Sequence, residues 1–262
     1  MTAPRGPIRS ATCESRWPTG CTRFDVAEVA ERLASHGILV AAPDHLGDTL
    51  WDATLAAIAP EFLAVRASDL SSVLDRLLDP TAPEIPADLR GRIDAARIGA
   101  MGHSFGGVTT GAVVASDARF VSALSIAAPI SALGTLRAAD VRVPYLFLVA
   151  SEDNSIGSAG NRLMRRDHAA LGASSWLVEV RDAGHWSFSD IAGLDPALQA
   201  GCGAGTRQEA PHAPFTYVDN ATARALASDV AAAFFALTLL DDPGAANLLS
   251  ALPLPASVSM HP

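Results

Sequence analysis

The stretch Arg97-Ile98-Gly99-Ala100-Met101-Gly102-His103-Ser104-Phe105-Gly106-Gly107 decides how this chain is read. Ile98, Ala100 and Met101 end an apolar run, and Val108, Val113 and Val114 open a helix of small residues, so the chain turns sharply at Ser104. Gly102 and Gly106 flank that turn two positions to either side, where a Cβ would clash, and Gly107 lets the helix lie close to a sheet. A serine held in this way has an exposed hydroxyl, the pattern of a nucleophile elbow. The free amides and positive dipole end of the helix point at it, with the amide of Phe105 as the candidate oxyanion donor.

Outward from the elbow, strand and helix patterns alternate. Ile38 to Ala42, Arg97 to Met101, Phe120 to Ile126, Tyr145 to Ala150 and Trp176 to Val180 read as buried strands. Asp25 to Ser35, Phe62 to Leu78, about Gly160 to Ala170 and about Ala221 to Leu240 read as helices; in the last, Leu226, Val230 and Phe234 share a face. Such alternation predicts an α/β fold, a mostly parallel sheet with helices on both faces and its ligand site beyond the C-terminal strand ends. The reading divides the chain into an irregular segment over residues 1–23, one domain over 24–240 and a C-terminal tail over 241–262, either an ordered wrap or a loose extension.

Composition narrows the function. A chain of 262 residues, 49% hydrophobic and 18% charged, suits one domain with a sizeable core. The net charge is −9 and every basic side chain is arginine, which argues against nucleic acid or an anionic membrane as partner. Cys13, Cys21 and Cys202 show no zinc spacing, so no metal is expected. No apolar run approaches the roughly 18 residues of a membrane span, and the N-terminus lacks a signal peptide's apolar stretch. The chain as written is expected in the cytoplasm, or secreted if its true start lies upstream. Oligomeric state is left open.

A serine hydroxyl needs a base, and the base an orienting carboxylate. Of the seven histidines, His185 follows the strand ending at Val180 in the flexible turn Asp182-Ala183-Gly184-His185-Trp186 and is the candidate base. His103 is expected to point away from Ser104, while His45, in Pro43-Asp44-His45-Leu46-Gly47-Asp48, is expected to line the substrate entrance. Residues 121–139 hold no acidic side chain, so the acid comes from Ser151-Glu152-Asp153-Asn154: Asp153 first, Glu152 as the alternative. Trp186, Phe188 and Phe105 are candidate pocket walls or plain core. Serine, acid, histidine is the chain order of α/β-hydrolases.

Four segments carry a family resemblance: Arg32-Leu33-Ala34-Ser35-His36-Gly37, Val40-Ala41-Ala42-Pro43-Asp44-His45, the elbow stretch, and Ala183-Gly184-His185-Trp186-Ser187-Phe188. Together they resemble the dienelactone-hydrolase-like esterases of the α/β-hydrolase superfamily, a branch similar to platelet-activating-factor acetylhydrolases and bacterial polyester hydrolases. The resemblance implies a serine hydrolase that cleaves small carboxylic esters through an acyl-enzyme, with Ser104 as nucleophile, Asp153 as acid, His185 as base and no cofactor. A cysteine stands in dienelactone hydrolases where this chain has Ser104, which favours ordinary esters. Ile130 falls at the aromatic substrate platform of polyester hydrolases, so polyester is a less expected substrate. The resemblance places the second oxyanion amide near Thr19. Residues 10–16 make a poor buried strand there, so the N-terminal strands are read as missing or degenerate, and the chain as starting late or shifted in frame. A non-catalytic binding protein, or a thioesterase or peptidase on the same fold, are the other classes.

Overall fold

The computed structural model describes residues 8–11, 22–49, 52, 58–193, 201, 203–210, 213–253 and 255–261. Its strands are β1 (Ile8–Ala11), β2 (Leu39–Ala41), β3 (Ile98–His103), β4 (Phe120–Ile126), β5 (Tyr145–Ala150), β6 (Ser175–Val180), β7 (Ala204–Thr206), β8 (Pro214–Thr216) and β9 (Ala256–His261). The helices are α1 (Ala27–Ser35), α2 (Pro60–Leu78), α3 (Phe105–Ser116), α4 (Gly157–Ala170), α5 (Asn220–Leu239) and α6 (Gly244–Ser250). Among the described residues a seven-stranded sheet runs β2-β1-β3-β4-β5-β6-β9, parallel except for β9, and β7 and β8 form a separate hairpin. This is the α/β-hydrolase architecture expected.

The inner strands are the continuous apolar runs that a sheet buried on both faces requires. All six residues of β3 and all six of β5 are buried. On one face α1 and α5 cover them, with Leu33, Phe234 and Phe235 against Leu124, Leu146 and Val178. On the other, α2 and α4 cover them, with Leu70, Leu74 and Met164 against Ala100, Phe120 and Phe147. By length and composition α5 could cross a membrane, but 67% of its apolar window is buried inside the protein, where Leu226, Val230 and Phe234 all face the core.

The N-terminal segment departs from expectation, and the tail takes one of its two expected forms. The irregular N-terminal segment contains β1, which lies between β2 and β3, pairing Ile8 with Leu39 and Ser10 with both Ala41 and Ala100. Its four residues are fewer than the six of β3. Backbone ladders on both sides hold such a strand whatever its side chains, which is why composition undervalued it. The tail is an ordered wrap: α6 packs on α5, and β9 extends the sheet antiparallel along all of β6, from Ser175 with His261 to Val180 with Ala256.

Candidate active site

The elbow is strained as its sequence demands. Ser104, between β3 and α3, has φ 54° and ψ −123°, a left-handed value that costs a non-glycine residue on the order of 1–3 kcal/mol. Its amide donates to the carbonyl of Ile126 at 2.9 Å, so the β3–β4 ladder runs up to the turn itself. A Cβ on Gly107 would stand 2.7 Å from the Ala128 side chain, so that glycine sets how closely α3 lies on the sheet. Phe105 opens α3, where an amide has no acceptor inside the helix.

A second buried arrangement lies at the ends of β5 and β6. Nδ1 of His185 is 2.8 Å from Oδ2 of Asp153, and neither residue is exposed. The other carboxylate oxygen of Asp153 accepts the amides of Ser155 and Ile156, each at 2.9 Å, which fixes the carboxylate plane. Backbone bonds tie the two loops together: the amide of Ser151 donates to the carbonyl of Val180 at 3.1 Å and that of Glu152 to Ala183 at 2.9 Å. Nε2 of His185 is buried and has no hydrogen-bond partner among the described residues. The ring centroid of His185 lies 4.7 Å from that of His103, the residue preceding Ser104, so this imidazole stands beside the elbow.

Glu152, the alternative acid, is engaged elsewhere. Arg207 donates to it at 2.7 Å and the amide of Gln208 at 3.0 Å, while the second guanidinium nitrogen of Arg207 reaches Asp182 at 2.7 Å. Gln208 also donates through its side chain to the carbonyl of Asp153. The β7–β8 hairpin thus clasps the acid loop and the loop leading to His185. Arg207 lies 55 residues from Glu152, a pairing without a sequence signal.

The expected pocket residues are differently placed. Ile130 is a correction: it is 1% exposed and packs beneath α3, where a Cβ on Gly111 would meet its side chain at 2.7 Å. His45 is buried with Nδ1 2.7 Å from Asp69 on α2, and Trp186 is buried with its ring 5.4 Å from that of His185. Neither opens onto solvent. Phe188 is fully buried in the main core. Thr19 and the three cysteines lie outside the described residues. Among the described residues no cluster of three or more metal-ligating side chains forms.

Buried residues that sequence reasoning missed surround the elbow. Arg66 of α2 is fully buried, donates to Asp48 at 3.1 Å and Thr109 at 2.9 Å, and stands 4.6 Å over the ring of Phe105. Asp25 lies 2.9 Å from Nδ1 of His103. A charged residue inside an otherwise apolar helix face was the available signal for Arg66; for Asp25 there was none.

The family model for PETase, described as PET hydrolase-like, matches residues 22–190, a span that includes Ser104, Asp153 and His185. Among solved structures, a ferulic acid esterase from Streptomyces cinnamoneus is similar at 25% identity with a TM-score of 0.69, over 97% of this chain and 73% of that one. No curated protein matches the chain. With a match over more than half of its length, on a parallel sheet with helices on both faces, the chain belongs to the PET hydrolase-like family of α/β-hydrolase esterases.

Proposed function

We propose that this chain is a serine carboxylesterase working through an acyl-enzyme, with Ser104 as nucleophile, His185 as base and Asp153 as the orienting acid. The observation that carries the reading is the buried Asp153–His185 pair, whose far nitrogen has no partner among the described residues, beside a strained serine. With Nδ1–H donating to Asp153, the lone pair of His185 sits on Nε2. A buried nitrogen left unbonded costs on the order of 1–3 kcal/mol, which a proton from Ser104 would relieve.

In the first half-reaction Ser104 Oγ bonds to the ester carbonyl carbon while its proton passes to His185 Nε2. The amide of Phe105 holds the oxyanion, and collapse expels the alcohol with that proton. In the second, water gives a proton to the same nitrogen and attacks the acyl carbon, freeing the acid and Ser104. Asp153 stabilises the imidazolium in both. The chemistry calls on no cofactor.

Family membership and the ferulic acid esterase likeness support carboxylic esters as the substrate class. With Ile130 in the core, no aromatic platform stands at that position, which favours small acyl esters over polyester chains. Mass-spectrometric mapping of a fluorophosphonate probe tests the nucleophile: labelling should fall on Ser104 and vanish in Ser104→Ala. A panel of p-nitrophenyl acyl esters, a feruloyl ester, a thioester and a peptide then tests the class. A folded chain that leaves the probe unreacted would refute the esterase reading.

A further inference from the structure

Beneath the proposed base lies a second histidine–carboxylate pair for which the reaction has no use. Asp25, His103, His185 and Ser189 are all fully buried. Nε2 of His103 is 2.8 Å from the main-chain oxygen of His185; a carbonyl only accepts, so the hydrogen is on that nitrogen. Nδ1 faces Oδ2 of Asp25 at 2.9 Å, and the other oxygen of Asp25 accepts the hydroxyl of Ser189. Asp25 also takes the amide of Asp190 on its own carbonyl at 2.7 Å, and Asp190 in turn accepts the amide of Glu28 at 3.0 Å.

We propose that His103 and Asp25 are positioning residues: together they clamp the main chain of His185 to the nucleophile elbow and so hold the base in register with Ser104. The proposal rests on His185 and Ser104 being base and nucleophile. His185 is then secured twice, its ring by Asp153 from the β5 loop and its backbone by the residue immediately preceding Ser104. A movement of the elbow carries the base with it. Both ring nitrogens of His103 face acceptors, a carboxylate on one side and a backbone carbonyl on the other, so each is placed to donate. Burial opposes protonation of His103, but the charge and hydrogen bond of Asp25 and the carbonyl of His185 raise its pKa from the ordinary value. A displacement of about 1 Å in such a geometry costs on the order of a hundredfold in rate without weakening substrate binding.

Three variants test the clamp. His103→Gln can keep a donor at the Nε2 position toward the carbonyl of His185. His103→Asn can reach only toward Asp25, and His103→Leu fills the space with neither bond. Thermal unfolding, KM and kcat on p-nitrophenyl acetate, and fluorophosphonate labelling are measured for each beside the wild type. The expected result is kcat down on the order of 30- to 100-fold in His103→Asn, at least fivefold recovered in His103→Gln, with KM within about threefold throughout. His103→Leu, if folded, should match His103→Asn.

Equal kcat in the Gln and Asn variants, or losses that follow melting temperature alone, would show His103 to be mere filling and overturn the clamp. A folded His103→Leu of wild-type kcat would do the same. Should the wild type itself leave the probe unreacted, the esterase reading falls first and the clamp with it; labelling of the wild type separates the two failures.

Discussion

Glu152 accepts from Arg207 at 2.7 Å, while the next residue, Asp153, lies 2.8 Å from His185. Two adjacent carboxylates at the end of one strand therefore have separate tasks, one fastening a hairpin and one facing an imidazole. Asp153→Asn should lower kcat on the order of 10⁴-fold with little change in melting temperature, because the amide favours the wrong tautomer. Glu152→Gln keeps acceptor capacity toward Arg207 and should cost less than about tenfold. Steady-state kinetics on one ester decides between them, and the reverse ranking would reassign the acid.

Arg66 and Asp48 form a fully buried ion pair under the first turn of α3. Arg66→Met removes the guanidinium from beside the buried carboxylate and should cost about 3–5 kcal/mol, whereas adding Asp48→Leu should recover part of that loss. Urea unfolding of both variants is the check. A single variant as stable as the wild type would mean the pair contributes nothing.

Gly184 precedes His185 and touches the backbone of another loop. A Cβ there would stand 2.4 Å from Cα of Gly201. Backbone cannot yield as a side-chain tip can, so Gly184→Ala should cost about 1–3 kcal/mol and reduce activity more than stability, since the displaced segment carries the base. Thermal unfolding and kcat measured together test this.

Asp117, between α3 and β4, is held down to a pKa of about 2, first by its hydrogen bonds to Arg119 and further by Ser71. A carboxyl whose folded pKa is depressed stabilises above its unfolded value, near 3.9, and loses that contribution as pH falls toward about 2. Arg119 is 36% exposed, so solvent screening limits the effect to about 1–2 kcal/mol at neutral pH. Asp117→Asn should therefore lower stability at pH 7 and flatten its decline in acid. Equal decline in both proteins would refute the assignment.

The inner sheet and its helices were readable because their signals are local. A strand buried on both faces must be apolar throughout, as Tyr145–Ala150 is, and α2 must repeat its apolar residues at three- and four-residue steps. The turn at Ser104 was readable for the same reason: an apolar strand gives way to a helix whose Gly107 must be small to lie against Ala128. The order of strands then placed Asp153 and His185 at one edge. β9 had a faint signal in the alternation of Ala256, Val258 and Met260 with serine and histidine, hidden by the prolines before it.

Contacts across the fold had no such signal. Asp25 and His103 are 78 residues apart, Arg207 and Glu152 are 55 apart, and each pair is defined only once loops from different strand ends meet. The place of β1 rests on ladder bonds that any side chain permits, and Ile130 turns inward because a glycine on α3 opens the space to receive it. Periodicity and steric exclusion act within a few residues and are written along the chain. Pairing of buried charges acts through space, and which charges meet depends on loop closure, so the chain assigns the elbow while the folded molecule assigns what surrounds it.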